Sequence, residues 1–203
     1  MTVTPLYQQH LTAVIGEKRA LQACLPTCFY MLAHAYGYLG DVDFETFAKD
    51  IDWEGDRNSS GDWLRARLSQ DLRQSYHIPI VSWWIHAPSP MTDINKQLAI
   101  KAGYRSSQRE VAWFEQDVLD WPLEVIVASG TPVIVTMRPG FSANKSVHAV
   151  ILAALKDDKY EIIDPDARNE RRFYSIEEVQ RNLSPVGAAS VVLPPRNIPA
   201  ASL

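Results

Sequence analysis

The sequence predicts an α+β domain in which helices come first and a mostly antiparallel sheet comes last. Three observations carry that expectation. Apolar residues recur at helical spacing between Pro26 and Tyr36, β-branched runs crowd the last third of the chain, and 203 residues suffice for one well-buried domain but not for two ordinary ones. Residues 1–203 are therefore read as a single domain, with its core over about 20–193. A flexible tail is expected at 194–203, where three prolines fall in ten residues.

Composition narrows the function. An apolar fraction of 46% with 22% charged residues is that of a soluble globular protein, and a formal net charge of −4 gives no basic footprint, so no nucleic-acid partner is expected. The apolar run 149–155 is far shorter than a bilayer span, and the N-terminus lacks the apolar core of a signal. No membrane association and a cytoplasmic location follow as expectations. Two cysteines four residues apart on one helix are poorly placed to bridge, which fits a reducing compartment.

Taken in order, residues 1–21 show no clear period and a break at Gly16, and read as an extended lead-in. Over 26–36, Phe29, Leu32, Ala33 and Tyr36 form one helical stripe, and Gly37 ends the helix. Residues 42–51 form a second short helix capped by Asp41 or Asp43, with Phe44, Phe47 and Ile51 on one face. A polar loop at 55–61 leads into a helix from Asp62 carrying Leu64, Leu68 and Leu72. Residues 79–85 read as a strand, with the indoles of Trp83 and Trp84 on opposite faces. A helix at 92–102 follows the loop at Pro88 and Pro90, and 111–114 is a short strand. Residues 118–129 are helical in tendency, but Pro122 must start a new helix or kink the old one. The runs 132–137, 147–155, 160–163 and 188–193 are strands, with a helix at 176–183 before the last.

The chemistry concentrates in Gln22-Ala23-Cys24-Leu25-Pro26-Thr27-Cys28. Proline fits the first turn of a helix because its missing N–H would be unpaired there anyway, which puts Cys24 at a helix N-terminus. There the unpaired backbone N–H groups favour thiolate, the nucleophilic form, over thiol. The turn at 156–159 joins two strands into a hairpin. It returns Asp164 to within two or three residues of being opposite His148, near enough for a side-chain pair. Each residue alone has a plainer reading: a thiol buried as a small apolar group, a satisfied core histidine, an Asp-Pro turn opener. Their joint occurrence favours acyl transfer. Cys24 or Cys28 is then the nucleophile, His148 carries the proton and Asp164 orients the imidazole. A zinc site from Cys24, Cys28 and His148 lacks a fourth ligand at any recognised spacing, so neither metal nor cofactor is expected. His10, His34, His77 and His86 read as structural or surface residues.

These residues also resemble a family. Cys24 with Pro26, the apolar helix and Tyr36-Gly37 is similar to the nucleophile helix of the bacteriocin-leader-processing (double-glycine) cysteine peptidases, a branch of the papain-like fold. Val147-His148-Ala149-Val150-Ile151-Leu152, then Asp164-Pro165, then residues 171–178 resemble that family's histidine strand, Asp-Pro step and following helix. The resemblance covers about 20–193, with the middle segment 52–130 a helix-rich insertion. It implies a papain-like fold with the nucleophile helix packed on the sheet. It also implies a cysteine peptidase or amidase acting on a peptide or protein substrate through Cys24, His148 and Asp164, with Gln22 and the Cys24 backbone N–H meeting the oxyanion. Two positions depart from the pattern. The family's oxyanion glutamine lies six residues before the nucleophile, which from Cys24 is Lys18, whereas Gln22 stands six before Cys28. Leu25 stands where the family usually has glycine. The register of Pro26 and Gly37 favours Cys24. Two rivals remain: an acyltransferase or glutamine deamidase with the same thiol chemistry, and a peptide-binding module without turnover.

Overall fold

The computed structural model describes residues 2–51, 68, 71–84, 123–137, 148–168, 172–183 and 188–195. Its centre is one six-stranded sheet made of β1 (Ile80–Trp84), β2 (Val133–Met137), β3 (His148–Lys156), β4 (Lys159–Ile163), β5 (Phe173–Ser175) and β6 (Ala188–Val192). The spatial order is β1-β6-β2-β3-β4-β5, and all five pairings are antiparallel. The expected α+β class and antiparallel sheet are therefore observed. The three-residue strand β5 was not expected, because so short a run shows no alternation against the arginines that precede it.

The helices are α1 (Thr12–Ile15), α2 (Glu17–Ala20), α3 (Cys24–Ala35), α4 (Phe44–Asp50), α5 (residues 71–76), α6 (Leu123–Ala128) and α7 (Ile176–Asn182). They cover both faces of the sheet. On one face α3, α4 and the N-terminal turns pack with Ile80, Ile134, Ala149, Ile151, Ile163 and Val192. On the other, α6 and α7 pack with Val133, Val135, Val150, Leu152, Tyr160 and Ile162. Alternate residues of β2 and β3 thus enter different cores, which is why every residue of β2 is buried and its sequence is apolar almost without interruption.

The first twenty residues differ from expectation. From Gln8 on they are not extended: a 3-10 turn (Gln8–Leu11) runs into α1 and α2, separated by Gly16 at φ +80°. Single-turn helices are too short to show a period and too short to be stable alone. They persist here because Leu11 and Ala20 are buried in the same core as α3, with Leu6 and Ile15 packed beside them.

Helix α3 also exceeds its expected stripe. Every residue from Leu25 to Ala33 is buried, because the helix lies between the sheet and the N-terminal turns. It ends as expected, with Gly37 at φ +79°. Asp43 caps α4, its carboxylate accepting the Thr46 N–H at 2.7 Å. Helix α6 covers Leu123–Ala128 of the expected helical stretch 118–129, whose residues 118–122 lie outside the described residues. Leu68 and Leu72 are buried as expected. The loop at 55–61, the start of the helix from Asp62, the helix at 92–102, the strand at 111–114 and the indoles of Trp83 and Trp84 lie outside the described residues. Leu193, the last residue of the expected core, is held, its N–H donating to Pro79 O and its carbonyl accepting the Tyr38 hydroxyl, and of the expected tail residues 196–203 lie outside the described residues. Among the described residues no helix is long and apolar enough to cross a membrane.

The β3–β4 hairpin closes on Asp157 and Asp158, both left-handed at φ 49° and 57°, the two-residue geometry that matches strand twist. One irregularity follows. Lys156 pairs with Lys159 and Ala154 with Glu161, but Leu152 pairs with Ile162, so β3 carries a bulge at Ala153. Counting outward from Ile151↔Ile163, Asp164 falls opposite Val150, which shares strand parity with His148. Were Ala153 paired in the register of Ala154↔Glu161, Asp164 would face Ile151, whose side chain points the other way.

Candidate active site

Three elements meet at the site: the first turn of α3, the first residue of β3 and the loop after β4. Cys24 opens α3, and Ala149, next to His148, is bracketed by both cysteines. Its N–H donates to Cys24 Sγ at 3.5 Å and its carbonyl accepts from Cys28 Sγ at 3.5 Å. The sequence had left the nucleophile open between these two thiols. Cys28 is fully buried beneath the strand, whereas Cys24 is half-buried and faces His148.

His148 Nε2 lies 2.6 Å from Asp164 Oδ1. That contact leaves Nδ1 for the sulfur and fixes the ring between an acid and a thiol. Both side chains are largely withdrawn from water. Asp164 is in turn held by its own loop, since the same Oδ1 accepts the Asp166 N–H at 2.7 Å. The expected pairing of Cys24, His148 and Asp164 is thus present as one contiguous chain.

The electrostatics follow from this arrangement. Burial pushes the Cys24 thiol up. The hydrogen bond and charge of His148, with the N–H groups of Ala149 and Leu25, outweigh it and hold the thiol below its ordinary value. Burial likewise pushes His148 down, but the hydrogen bonds to Asp164 and Cys24 and the charges of both raise it to about 10. Near neutral pH the arrangement favours thiolate beside imidazolium, the nucleophilic state of a cysteine–histidine pair.

Gln22 behaves differently. It is exposed on the turn before α3, its N–H donating to Arg19 O, and its side chain makes no hydrogen bond with Cys24, His148 or Asp164. Lys18, six residues before Cys24, is exposed on α2. Instead, the glutamines that touch elements of the site are Gln8 and Gln9 of the 3-10 turn. Gln8 donates its N–H to Pro165 O at 2.8 Å and its Nε2 to Leu21 O at 3.1 Å. Gln9 Nε2 donates to Asp166 Oδ1 at 2.9 Å, and its Oε1 accepts the Ala167 N–H at 3.3 Å. Sequence reasoning missed both, because nothing local in residues 1–21 signals a contact more than 150 residues away.

Among the described residues no group of three His, Cys, Asp or Glu is placed to hold a metal ion. No family model matches the chain, and no curated protein does. The functional reading therefore stands on the residues and their geometry.

Proposed function

We propose that this chain is a papain-like cysteine peptidase or amidase that cleaves a peptide or isopeptide bond, with Cys24 as nucleophile, His148 as proton carrier and Asp164 as its orienting acid. The observation that carries the reading is the hydrogen-bonded line from Asp164 through His148 to a half-buried thiol on the first turn of a helix. The Cys24 thiolate attacks the carbonyl carbon, and the oxyanion is met by the Cys24 backbone N–H, with the exposed Gln22 amide the candidate side-chain donor. His148 gives its proton to the leaving amine, so the C–N bond breaks and a thioester remains. Neutral His148 then takes a proton from water, the hydroxide attacks the thioester carbon, the carboxylic acid is released as the Cys24 thiolate leaves, and the starting state returns.

The same thioester serves an acyltransferase or a glutamine deamidase, which differ only in what accepts or leaves. Product analysis separates them. Incubation with a peptide library, read by mass spectrometry, is expected to give new termini that depend on Cys24. A mass gain from an added acceptor would mark transfer, and a one-dalton gain on glutamine would mark deamidation. Fast, low-pH alkylation of Cys24 without turnover of any acyl substrate would favour the peptide-binding module.

A further inference from the structure

Asp164 lies in a loop rather than a strand, so no sheet ladder fixes its carboxylate; something else must. The loop's own hydrogen bond, Asp166 N–H to Asp164 Oδ1, uses the same oxygen that faces His148. Asp166 is itself gripped. Its Oδ1 accepts from Gln9 Nε2 and from the Arg168 N–H at 3.0 Å, and its carboxylate pairs with the Arg168 guanidinium. Gln9 then closes the grip by accepting the Ala167 N–H. Beside it, Gln8 ties the Pro165 carbonyl to the turn that enters the nucleophile helix through Leu21 O. Gln8 is 1% exposed, and its Oε1 has no partner among the described residues. Burying an orphan acceptor is destabilising, so its place between the two loops is maintained at a cost in stability.

We propose that Gln9 is a positioning residue for the triad: the N-terminal 3-10 turn clips the 164–168 loop and thereby holds Asp164 on His148. The inference rests on the acyl-transfer reading of the site. Its line of action runs from the Gln9 amide to Asp166, through the Asp166 N–H to Asp164, and so to His148 and Cys24. Of the groups it invokes, His148 is faced by Cys24 from α3 and Asp164 from the loop. Arg168 and Asp166 are the remaining charges of that loop.

The test is the pH profile of Cys24 alkylation by iodoacetamide in the full chain, measured for the wild type, Gln9→Leu, Asp166→Ala and the double variant. In the wild type the fast reaction is expected to begin below the ordinary thiol range. Gln9→Leu should move that onset toward the ordinary value and slow the reaction about three- to tenfold at neutral pH. Asp166→Ala should do the same, and the double variant should add nothing further, since both act through one loop. Asp166→Ala carries the test alone should Gln9→Leu not fold. A profile unchanged in both variants, with only a lowered thermal midpoint, would mean the clip is merely structural and would overturn the proposal. A wild type with no low-pH reaction would overturn the reading of the site itself, and is a separate outcome.

Discussion

Helices α3 and α7 begin in opposite ways. At α7 the Ser175 hydroxyl accepts the Glu178 N–H at 3.2 Å, and the Glu178 carboxylate accepts the Ser175 N–H at 2.9 Å, a complete capping box. At α3 the residue in the cap position is Ala23, near-helical at φ −84° and ψ 17°, with no side-chain cap. Every α-helix starts with N–H groups that lack an intrahelical acceptor, and both helices must satisfy them. Helix α7 does so with its own side chains and gains stability. At α3 no side chain does so; the Leu25 N–H instead helps to hold the Cys24 thiol low, beside the Ala149 N–H, which donates to the sulfur from the sheet. The same donors that stabilise one helix therefore favour a reactive thiolate on the other.

The sharpest way to break this comparison is to remove the sulfur. Cys24→Ala is expected to abolish fast alkylation and to lower hydrolysis on the order of a millionfold, the scale seen when a covalent nucleophile is lost. Cys28→Ala should leave fast alkylation largely intact, because Cys28 is buried and touches the Ala149 carbonyl rather than His148. Peptide mapping of the singly labelled protein checks both. Label on Cys28 alone would reverse the assignment.

Next in size is the acid, tested against the bulge. Deleting Ala153 should make the β3–β4 ladder even, with Ala154 following Leu152 directly, and leave Asp164 opposite Val150 on the parity of His148. The deletion variant is then expected to keep a rate close to that of the wild type, whereas Asp164→Ala, which removes the acid, should lower it about 10²–10⁴-fold while the chain stays folded by circular dichroism. A deletion variant whose rate fell as far as that of Asp164→Ala would show that the bulge itself holds the pair.

The site was legible in the sequence where it depended on local rules. Pro26 and Gly37 bracket a helix that carries both cysteines, and a hairpin returns one end to the other, so His148 and Asp164 could be paired from spacing, while the preference for Cys24 over Cys28 came from the register of the resembling family. What was illegible depended on distant contacts. Gln9 and Asp166 are 157 residues apart, and no periodicity links them. The bulge at Ala153 was hidden for a different reason: it sits in the run 149–155, where every residue is apolar and one extra residue leaves no trace in the pattern. Likewise α1 and α2 are helical only because the core beneath them is. The sheet was readable from its β-branched runs, yet its order was not, since β6 inserts between β1 and β2.

A smaller effect is the pH dependence of stability. His148 is raised to about 10, so its contribution is fully present below the ordinary histidine value of 6.5 and is lost as pH rises through about 10. Cys24 is lowered, so its contribution is present above the ordinary thiol value of 9.0 and is lost as pH falls through its lowered one. Together they give a broad maximum with a decline above about pH 9, where the unfolded chain has lost both protons and the folded chain still holds one. Subtracting the urea-derived stability of Cys24→Ala/His148→Ala from that of the wild type across pH 6–10 should reveal that maximum. A difference that does not vary with pH would mean the two groups titrate as they do in the unfolded chain.

The smallest effect tests the other half of the comparison. Ser175→Ala removes the hydroxyl that accepts the Glu178 N–H and so opens the capping box of α7, on the face of the sheet away from α3. The expected loss is ~0.5–2 kcal/mol of stability, seen as a lower urea midpoint at unchanged slope. Because α7 packs with α6 and the second core rather than with Cys24, the pH profile of alkylation should not move. Here the two helix starts separate cleanly: a change at α7 acts on stability alone, whereas a change at α3 acts on the thiol. If Ser175→Ala shifted the alkylation profile, the two termini would be coupled through the sheet. The β5–β4 pairing, which joins Ser175 to Lys159 and runs on toward Asp164, would then be the path to examine.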